Sequence, residues 1–427
     1  MNISVIGTGY VGLVSGAGLA EKGHKVVCVD IVKEKVDLIN SGRSPIYEKG
    51  LEEILKKHVG KSLTATTDLR EAILGTDATF VCVGTPSRTD GSLDLAYIKK
   101  AVEDTGKALT GKKAYHLVII KSTVLPGTTQ EELIPLLEKS SGKKAGKDFG
   151  VATNPEFLRE GIAVEDFMKP DRIVIGSLDK KAEETVSGIY SGFASPLFKT
   201  DIKTAEMVKY ASNAFLATKI SFINEIGNIC KKLGINTYEV AEGISLDHRI
   251  SPYFLSSGLG WGGSCFPKDL DALTYEAKKI GYEPRLLNAV SDVNTDQPKK
   301  LVELARKKTG SLRGKKVAVL GLAFKGGTDD TRDTPAFPVI ELLLKEGAFV
   351  VAFDPQAEKN AKKIFGEKIV YSDSASSALK DADIALIVTD WDEFKELDYS
   401  AMKKKTVIDG RNIVKNRKDA DYEGLCW

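Results

Sequence analysis

Over residues 1–199, short apolar runs alternate with stretches in which apolar residues recur at helical spacing. Residues 4–6 read as a strand, and the pattern over 13–22 reads as the helix that follows it. Residues 25–30, 79–83, 117–121, 150–153 and 172–177 read as further strands. Strands that alternate with helices are joined as βαβ units, which build a parallel sheet. From about residue 305 the same rhythm restarts, with strands over 316–320, 349–354, 384–389 and 407–409. Between these parts, residues 204–233 carry one long proline-free helical pattern. Met207, Ala211, Ala214, Phe215, Thr218, Phe222, Ile226 and Ile229 recur on it at helical spacing. That apolar face needs a cover, either a second subunit or other parts of the same chain. The pattern therefore predicts an α/β chain with two Rossmann-like parallel-sheet domains joined by a central helical region with one long helix. The boundaries fall at 1–199, 200–304 and 305–427.

Composition adds exclusions. The 427 residues are 42% hydrophobic and 28% charged, with 61 Lys plus Arg against 59 Asp plus Glu, a net charge of +2. That is ordinary globular usage, enough for two or three domains of ~150 residues each. A balance near zero gives no electrostatic reason to expect nucleic acid as a partner. Lys403, Lys404 and Lys405 read as a solvated face. No apolar run approaches the ~20 residues of a spanning helix, so no membrane partner is expected. The opening residues lack the basic and apolar regions of a signal peptide. Cys28, Cys82, Cys230, Cys265 and Cys426 are odd in number and scattered, without a Cys-x-x-Cys pair. Neither a disulfide framework nor a metal site is indicated, and a reducing cytoplasm fits.

Gly7-Thr8-Gly9-Tyr10-Val11-Gly12 follows a strand, precedes a helix, and sits 18 to 23 residues before Asp30 at the end of a second strand. Glycines at that turn let a pyrophosphate approach the positive end of the helix. A carboxylate about 20 residues on can bond the ribose hydroxyls of NAD and repels the 2′-phosphate of NADP. Two more strand ends, Val83-Gly84-Thr85-Pro86 and Lys121-Ser122-Thr123, reach the same sheet edge, which makes Thr85 and Thr123 candidates for the cofactor edge.

Gly260-Trp261-Gly262-Gly263-Ser264-Cys265-Phe266-Pro267-Lys268-Asp269 carries the densest chemistry. Glycines let a backbone approach a ligand closely, and a cysteine there can attack a carbonyl. Asp269 follows Cys265 by four residues, one helical turn. Cys28, Cys82 and Cys230 lie in apolar patterns and read as small buried hydrophobes. Lys209 and Asn213 are also four apart, a spacing that puts a cation and an amide on one helix face, suited to a developing oxyanion or simply to solvent. Glu156 and Glu160, in Asn154-Pro155-Glu156-Phe157-Leu158-Arg159-Glu160, are either acid/base groups or surface charges.

Together these segments resemble the UDP-glucose 6-dehydrogenase branch of the nucleotide-sugar dehydrogenases. The matching runs are GTGYVGL at 7–13, VGTP at 83–86, KSTV at 121–124, NPEFLREG at 154–161, AEMVKYASNAFLATKISFINE at 205–225, GWGGSCFPKD at 260–269, GLAFKGGTDDTRDTP at 321–335 and IDGRN at 408–412. They cover nearly the whole chain, and GGSCFPKD is the most specific of them. The resemblance implies oxidation of a sugar C6 alcohol to a carboxylate with two NAD, in a homodimer formed through the central region. It implies Cys265 as nucleophile, Lys209 and Asn213 as oxyanion-stabilising pair, and Asp269 as an aspartate assisting a base or ordering water. Thr123 and Glu156 would hold the reactive water, with Glu156 an acid/base candidate. For NAD it implies Gly7, Gly9, Tyr10, Val11, Gly12, Asp30, Lys35, Thr85, Thr123, Glu160 and Arg332. For the sugar nucleotide it implies Glu156, Phe157, Leu158, Lys209, Asn213, Tyr253, Gly262, Phe266, Lys325 and Arg411, with Arg249 reaching the substrate of the neighbouring subunit. Gly321-Leu322-Ala323-Phe324-Lys325-Gly326 echoes the first glycine loop, but Ala323 stands where its second glycine would be. Lys325 adds a cation there, which suits a UDP diphosphate.

Three other readings stay open. A sister enzyme acting on UDP-N-acetylmannosamine or GDP-mannose would share these motifs. A two-electron hydroxyacid dehydrogenase would need neither Cys265 nor a second nucleotide domain. A non-catalytic nucleotide-binding protein would be expected to lack part of the set Lys209, Asn213, Cys265 and Asp269.

Overall fold

The computed structural model describes residues 1–427. The chain forms two compact units, one of Met1–Ser212 with Asp271–Glu276, the other of Asn213–Leu270 with Ala277–Trp427.

The first unit holds an eight-stranded sheet. Its strands are β1 (Asn2–Ile6), β2 (Lys25–Val29), β3 (Leu63–Thr66), β4 (Ala78–Val81), β5 (Leu117–Ile120), β6 (Gly150–Thr153), β7 (Ile173–Ser177) and β8 (Leu197–Thr200). They lie in the order β3-β2-β1-β4-β5-β6-β7-β8. Every neighbouring pair is parallel except β6 and β7. The chain winds outward from β1 to β3 and returns to the other side of β1 at β4. Ile6 is thus paired with Val29 on one side and Val81 on the other. Such a reversal leaves a crevice beyond the carboxyl ends of the strands. Helices cover both faces, so successive strand residues feed different cores. Leu117 and Ile119 enter one, Val118 and Ile120 the other. This two-sided burial is why the central strands read as unbroken apolar runs. The strands the pattern did not reveal, β3 and β8, lie away from the centre of the sheet and carry polar or exposed side chains (LTAT and LFKT).

The second unit repeats the plan with β9 (Lys316–Leu320), β10 (Phe349–Phe353), β11 (Val370–Tyr371), β12 (Ile384–Ile387), β13 (Thr406–Asp409) and β14 (Asp421–Gly424). The order is β11-β10-β9-β12-β13-β14, with all neighbours parallel. Val317 and Val319 face one core and Ala318 and Leu320 the other.

The long helix spans Ile202–Leu233. Its first part belongs to the first unit and the remainder, from Asn213, to the second. The buried face mixes Ala205, Tyr210, Ala217 and Ile223 with the polar Glu206, Lys209, Asn213, Ser221 and Asn224, while Met207, Phe215, Phe222, Ile229 and Leu233 are exposed, Phe215 by 65%. Of the apolar positions expected to need a cover, Ala214 is buried and Ile226 packs against Ile223, while Met207, Phe215, Phe222 and Ile229 stay exposed. No helix is long and apolar enough to cross a membrane.

Candidate active site

In the first unit, β1 turns at Gly7 (φ 92°), whose amide donates to Val29 O at 2.8 Å. A Cβ at Gly12 would fall on the carbonyl of Gly7, so the turn and the helix Tyr10–Glu21 can close up only on glycine. In front of Gly9 nothing lies within 4 Å of a notional Cβ. Gly9 caps the helix without a side-chain bond, and no acidic residue sits in the first turn. That open, positive helix end fits a pyrophosphate. Asp30 lies at the end of β2. Its Oδ2 accepts from Thr8 N (2.9 Å) and Thr8 Oγ1 (2.6 Å), and its Oδ1 from Val32 N (3.0 Å). Lys35 Nζ stands 3.8 Å away. Burial alone would raise this carboxyl, but Thr8, Val32 and Lys35 outweigh burial and hold it below the usual carboxylate range. Oδ1 accepts one bond here, so acceptor capacity remains for a ribose hydroxyl.

Beyond β4 and β5, Thr85 Oγ1 donates to Thr123 O at 2.8 Å, which joins the two candidate turns directly. After β6, Glu156 and Lys209 form a buried ion pair at 2.9 Å, with side chains 5% and 4% exposed. Glu156 Oε2 also accepts from Leu158 N. Burial would raise the Glu156 carboxyl, but the Lys209 ammonium outweighs it and keeps the group ionised. Phe157 packs under two cations, with Arg172 3.8 Å and Lys209 5.4 Å from its ring centre. Glu160 is half-buried on the same loop.

In the second unit, Cys265 immediately precedes the helix Phe266–Lys279 and accepts its first backbone bond, from Asp269 N at 2.9 Å. It is half-buried, whereas the other four cysteines are buried, and all five are free thiols. Its Sγ lies 3.4 Å from Ser264 Oγ. The Asp269 carboxylate is buried and doubly engaged, by Asn213 Nδ2 (2.6 Å) and Lys268 Nζ (2.6 Å). Lys209 and Asn213 thus occupy successive turns of one helix, each bonded to a buried carboxylate of its own unit. Phe266 packs edge-on against Trp261, with ring centres 6.2 Å apart. A Cβ at Gly262 would strike the carbonyl of Asp333. Arg249 is exposed and forks onto Asp247, and Tyr253 is exposed. Arg332 forks onto Asp330. The half-buried Arg411 donates to three carbonyls, Val388 (2.7 Å), Gly260 (3.0 Å) and Phe324 (3.2 Å).

The second glycine loop copies the first in part. Gly321 (φ 106°) donates to Phe353 O, and Asp354 after β10 takes the place of Asp30. However, Asp354 accepts from five donors of the chain: Leu322 N, Ala323 N, Gln356 N, Ala357 N and Trp391 Nε1. No helix follows at once, since the next begins at Ala336. A carboxylate so saturated is a poor ribose ligand, and the loop lacks a helix end like the one that follows Gly9 in the first unit. Lys325 lies on this loop with its Nζ 5.5 Å from the Phe324 ring centre.

The structure adds residues that motif reading passed over. Lys121, which follows β5, is buried and donates to Asn154 Oδ1 (3.0 Å), to which Tyr190 Oη also donates at 2.6 Å. Burial pulls its ammonium down to about 8. Glu206, one turn before Lys209, accepts from Gly127 N (2.6 Å) and Thr129 N (3.1 Å) in the turn after Thr123. Lys121 was visible as part of KSTV, but nothing in its spacing distinguishes a buried cation from a strand-end lysine.

Family models match in chain order: the NAD binding domain of the UDP-glucose/GDP-mannose dehydrogenase family over residues 1–194, its central domain over 203–296 and its UDP binding domain over 318–416. The chain belongs to the UDP-glucose/GDP-mannose dehydrogenase family. It is 50% identical to a UDP-glucose 6-dehydrogenase, AglM, of Haloferax volcanii, with 100% of both chains covered. It is 42% identical to a GDP-mannose 6-dehydrogenase of Pseudomonas syringae, again with 100% of both covered. Among solved structures it resembles a UDP-glucose dehydrogenase of Pyrobaculum islandicum with a TM-score of 0.95, at 43% identity over 100% of this chain and 97% of that one.

Proposed function

We propose that this member of the family oxidises UDP-glucose to UDP-glucuronate, with residues 1–199 binding NAD, 200–304 supplying the dimer contact and catalytic groups, and 305–427 binding the UDP-sugar. The observation that carries the reading is the placement of Cys265, at the end of a glycine loop and the start of a helix whose positive end favours an anion. An alcohol oxidised only to an aldehyde needs no such thiol. Oxidation onward to the acid gives the thiol a role, since it holds the aldehyde carbon covalently for the second hydride transfer.

Bound NAD accepts the hydride in both oxidations, so that one UDP-glucose, two NAD and one water give one UDP-glucuronate, two NADH and three protons. The residues do the rest. The Cys265 thiolate adds to the C6 aldehyde, forming the C–S bond of a thiohemiacetal, whose oxidation leaves a thioester. Water, held by Thr123 and Glu156 with Asp269 assisting, attacks that carbonyl. The C–S bond breaks and the thiolate returns. Lys209 and Asn213 stabilise the oxyanions on the way. Gly7, Gly9, Tyr10, Val11, Gly12, Asp30, Lys35, Thr85, Glu160 and Arg332 hold NAD. Phe157, Leu158, Tyr253, Gly262, Phe266, Lys325 and Arg411 hold the sugar nucleotide. A homodimer covers the exposed stripe of the long helix, and within it Arg249 exchanges Asp247 for the neighbour's substrate. Five free thiols fit a cytoplasmic enzyme.

The test is stoichiometric. Limiting UDP-glucose with excess NAD should give two NADH per sugar. A ratio of one would remove the covalent stage. If UDP-glucose is inert while GDP-mannose or UDP-N-acetylmannosamine gives two, the chemistry stands and the substrate is corrected.

A further inference from the structure

The loop that presents Cys265 is built from glycines with left-handed backbone, Gly260 at φ 93° and Gly263 at φ 86°. Such a segment has many conformations to lose, at about 1–2 kcal/mol per ordered residue. In the second unit its main chain is instead fixed point by point. Gly258 N donates to Asn224 Oδ1 (2.7 Å), and Gly258 O accepts from Gln297 Nε2 (2.6 Å). Gly260 O accepts from Arg411, and Gly263 N donates to Arg332 O at 2.9 Å.

Trp261 is held most completely. Asn294, on the helix Arg285–Thr309, accepts from Trp261 N at 2.8 Å and donates to Trp261 O at 2.9 Å, so that one carboxamide closes both main-chain groups of one residue. The indole Nε1 donates to Ser221 Oγ (3.0 Å) on the long helix, and Ser221 donates in turn to Val290 O (2.8 Å), one turn before Asn294. The fit admits no side chain at the neighbouring position, since a Cβ at Gly260 would land on Asn294 Oδ1. Trp261 then packs against Phe266, the residue after Cys265.

We infer that Asn294 is the positioning residue of the nucleophile: its two-point clasp on Trp261 sets where the Cys265 sulfur stands when the aldehyde forms. The inference rests on Cys265 being the nucleophile. Asn294 bonds the main chain of Trp261, not the thiol. It acts through four residues of loop, and a displacement of about 1 Å at the reacting atom is enough to cost on the order of 100-fold in rate.

The experiment uses the full-length enzyme with Asn294→Ala, Asn294→Asp and Ser221→Ala, each removing one or more bonds to Trp261. Folded fraction and melting temperature are measured first, then kcat, KM for NAD, NADH per sugar, and free C6 aldehyde trapped by hydroxylamine. Asn294→Ala is expected to lower kcat about 10- to 100-fold with KM for NAD within about twofold. NADH per sugar should fall below two as aldehyde escapes capture, and Asn294→Asp and Ser221→Ala should shift the ratio the same way by less. A purely structural role would reduce active enzyme but leave the ratio at two and the aldehyde untrapped, and that outcome overturns the inference, as does wild-type turnover by Asn294→Ala. Should Asn294→Ala fail to fold, the two milder variants decide by the same ratio. Full turnover by Cys265→Ser is a separate result, which sinks the nucleophile assignment itself.

Discussion

Lys209 donates from a buried ammonium to the equally buried carboxylate of Glu156 across 2.9 Å. Breaking such a pair from one side leaves a charge in a low-dielectric site with nothing to balance it. Lys209→Ala is therefore expected to cost about 3–5 kcal/mol in urea denaturation. The double substitution Lys209→Met with Glu156→Leu should recover most of that stability and still oxidise no sugar. A loss below about 1 kcal/mol for Lys209→Ala would show that the pair behaves as a solvated one. The Glu156 carboxyl is held below its unfolded value of 4.5, so its contribution is complete above that pH and is lost as the pH falls below it.

Asp30 and Asp354 occupy equivalent strand ends but differ in how far their oxygens are already used. Asp30→Asn is predicted to weaken NAD at least about tenfold by calorimetric titration, since a ribose acceptor becomes an amide and the Thr8 contacts are disturbed. Asp354→Asn should leave NAD affinity within about twofold and lower the melting temperature, because five donors of the chain lose their acceptor. Equal effects on NAD would contradict the assignment of the two domains.

Lys121 links stability to pH. Burial depresses its ammonium from 10.5 to about 8. Between those pH values the unfolded chain holds the proton and the folded chain has released it, so the contribution of this group to stability rises with pH across that window. Below pH 8 folding buries the charge at a cost on the order of 3 kcal/mol. Lys121→Met should therefore be the more stable protein at pH 7, by less than that amount because the bond to Asn154 is lost. Its advantage should shrink as the pH is raised from 8 to 10. A gap that stays constant with pH would mean that Lys121 keeps an ordinary affinity for its proton.

The exposed stripe of Met207, Phe215, Phe222, Ile229 and Leu233 should mark the contact between subunits. Phe222→Glu would place a carboxylate in that contact, and light scattering should then report a mass near the 46.3 kDa of one chain instead of twice that value. A wild-type protein that already runs as a single chain would dismiss the homodimer. If Phe222→Glu remains dimeric, the contact lies elsewhere.

The two parallel sheets and the long helix were readable in the residues because their signals are local. A strand covered on both faces must be apolar throughout, as at 117–120, and a 32-residue helix without proline leaves a continuous periodic trace. The first glycine loop was equally plain, because Gly7 is demanded by its own positive φ and Gly12 by the carbonyl of Gly7 a few residues before it. The sequence by itself also set Lys209 four residues from Asn213 and Cys265 four residues from Asp269, since helical spacing needs no tertiary information. What it left undecided was which face of the long helix turns inward. Periodicity marked one apolar stripe, yet Met207, Phe215, Phe222 and Ile229 of it stay exposed, and the buried face holds Glu206, Lys209, Asn213, Ser221 and Asn224 because each has a partner brought from a distant segment. Only the tertiary structure could decide that the Asp354 carboxylate is saturated while that of Asp30 is not, or that Asn294 closes on Trp261. Hydrogen bonds between residues dozens of positions apart leave no period in the chain, and their worth depends on burial that exists only once the fold has formed.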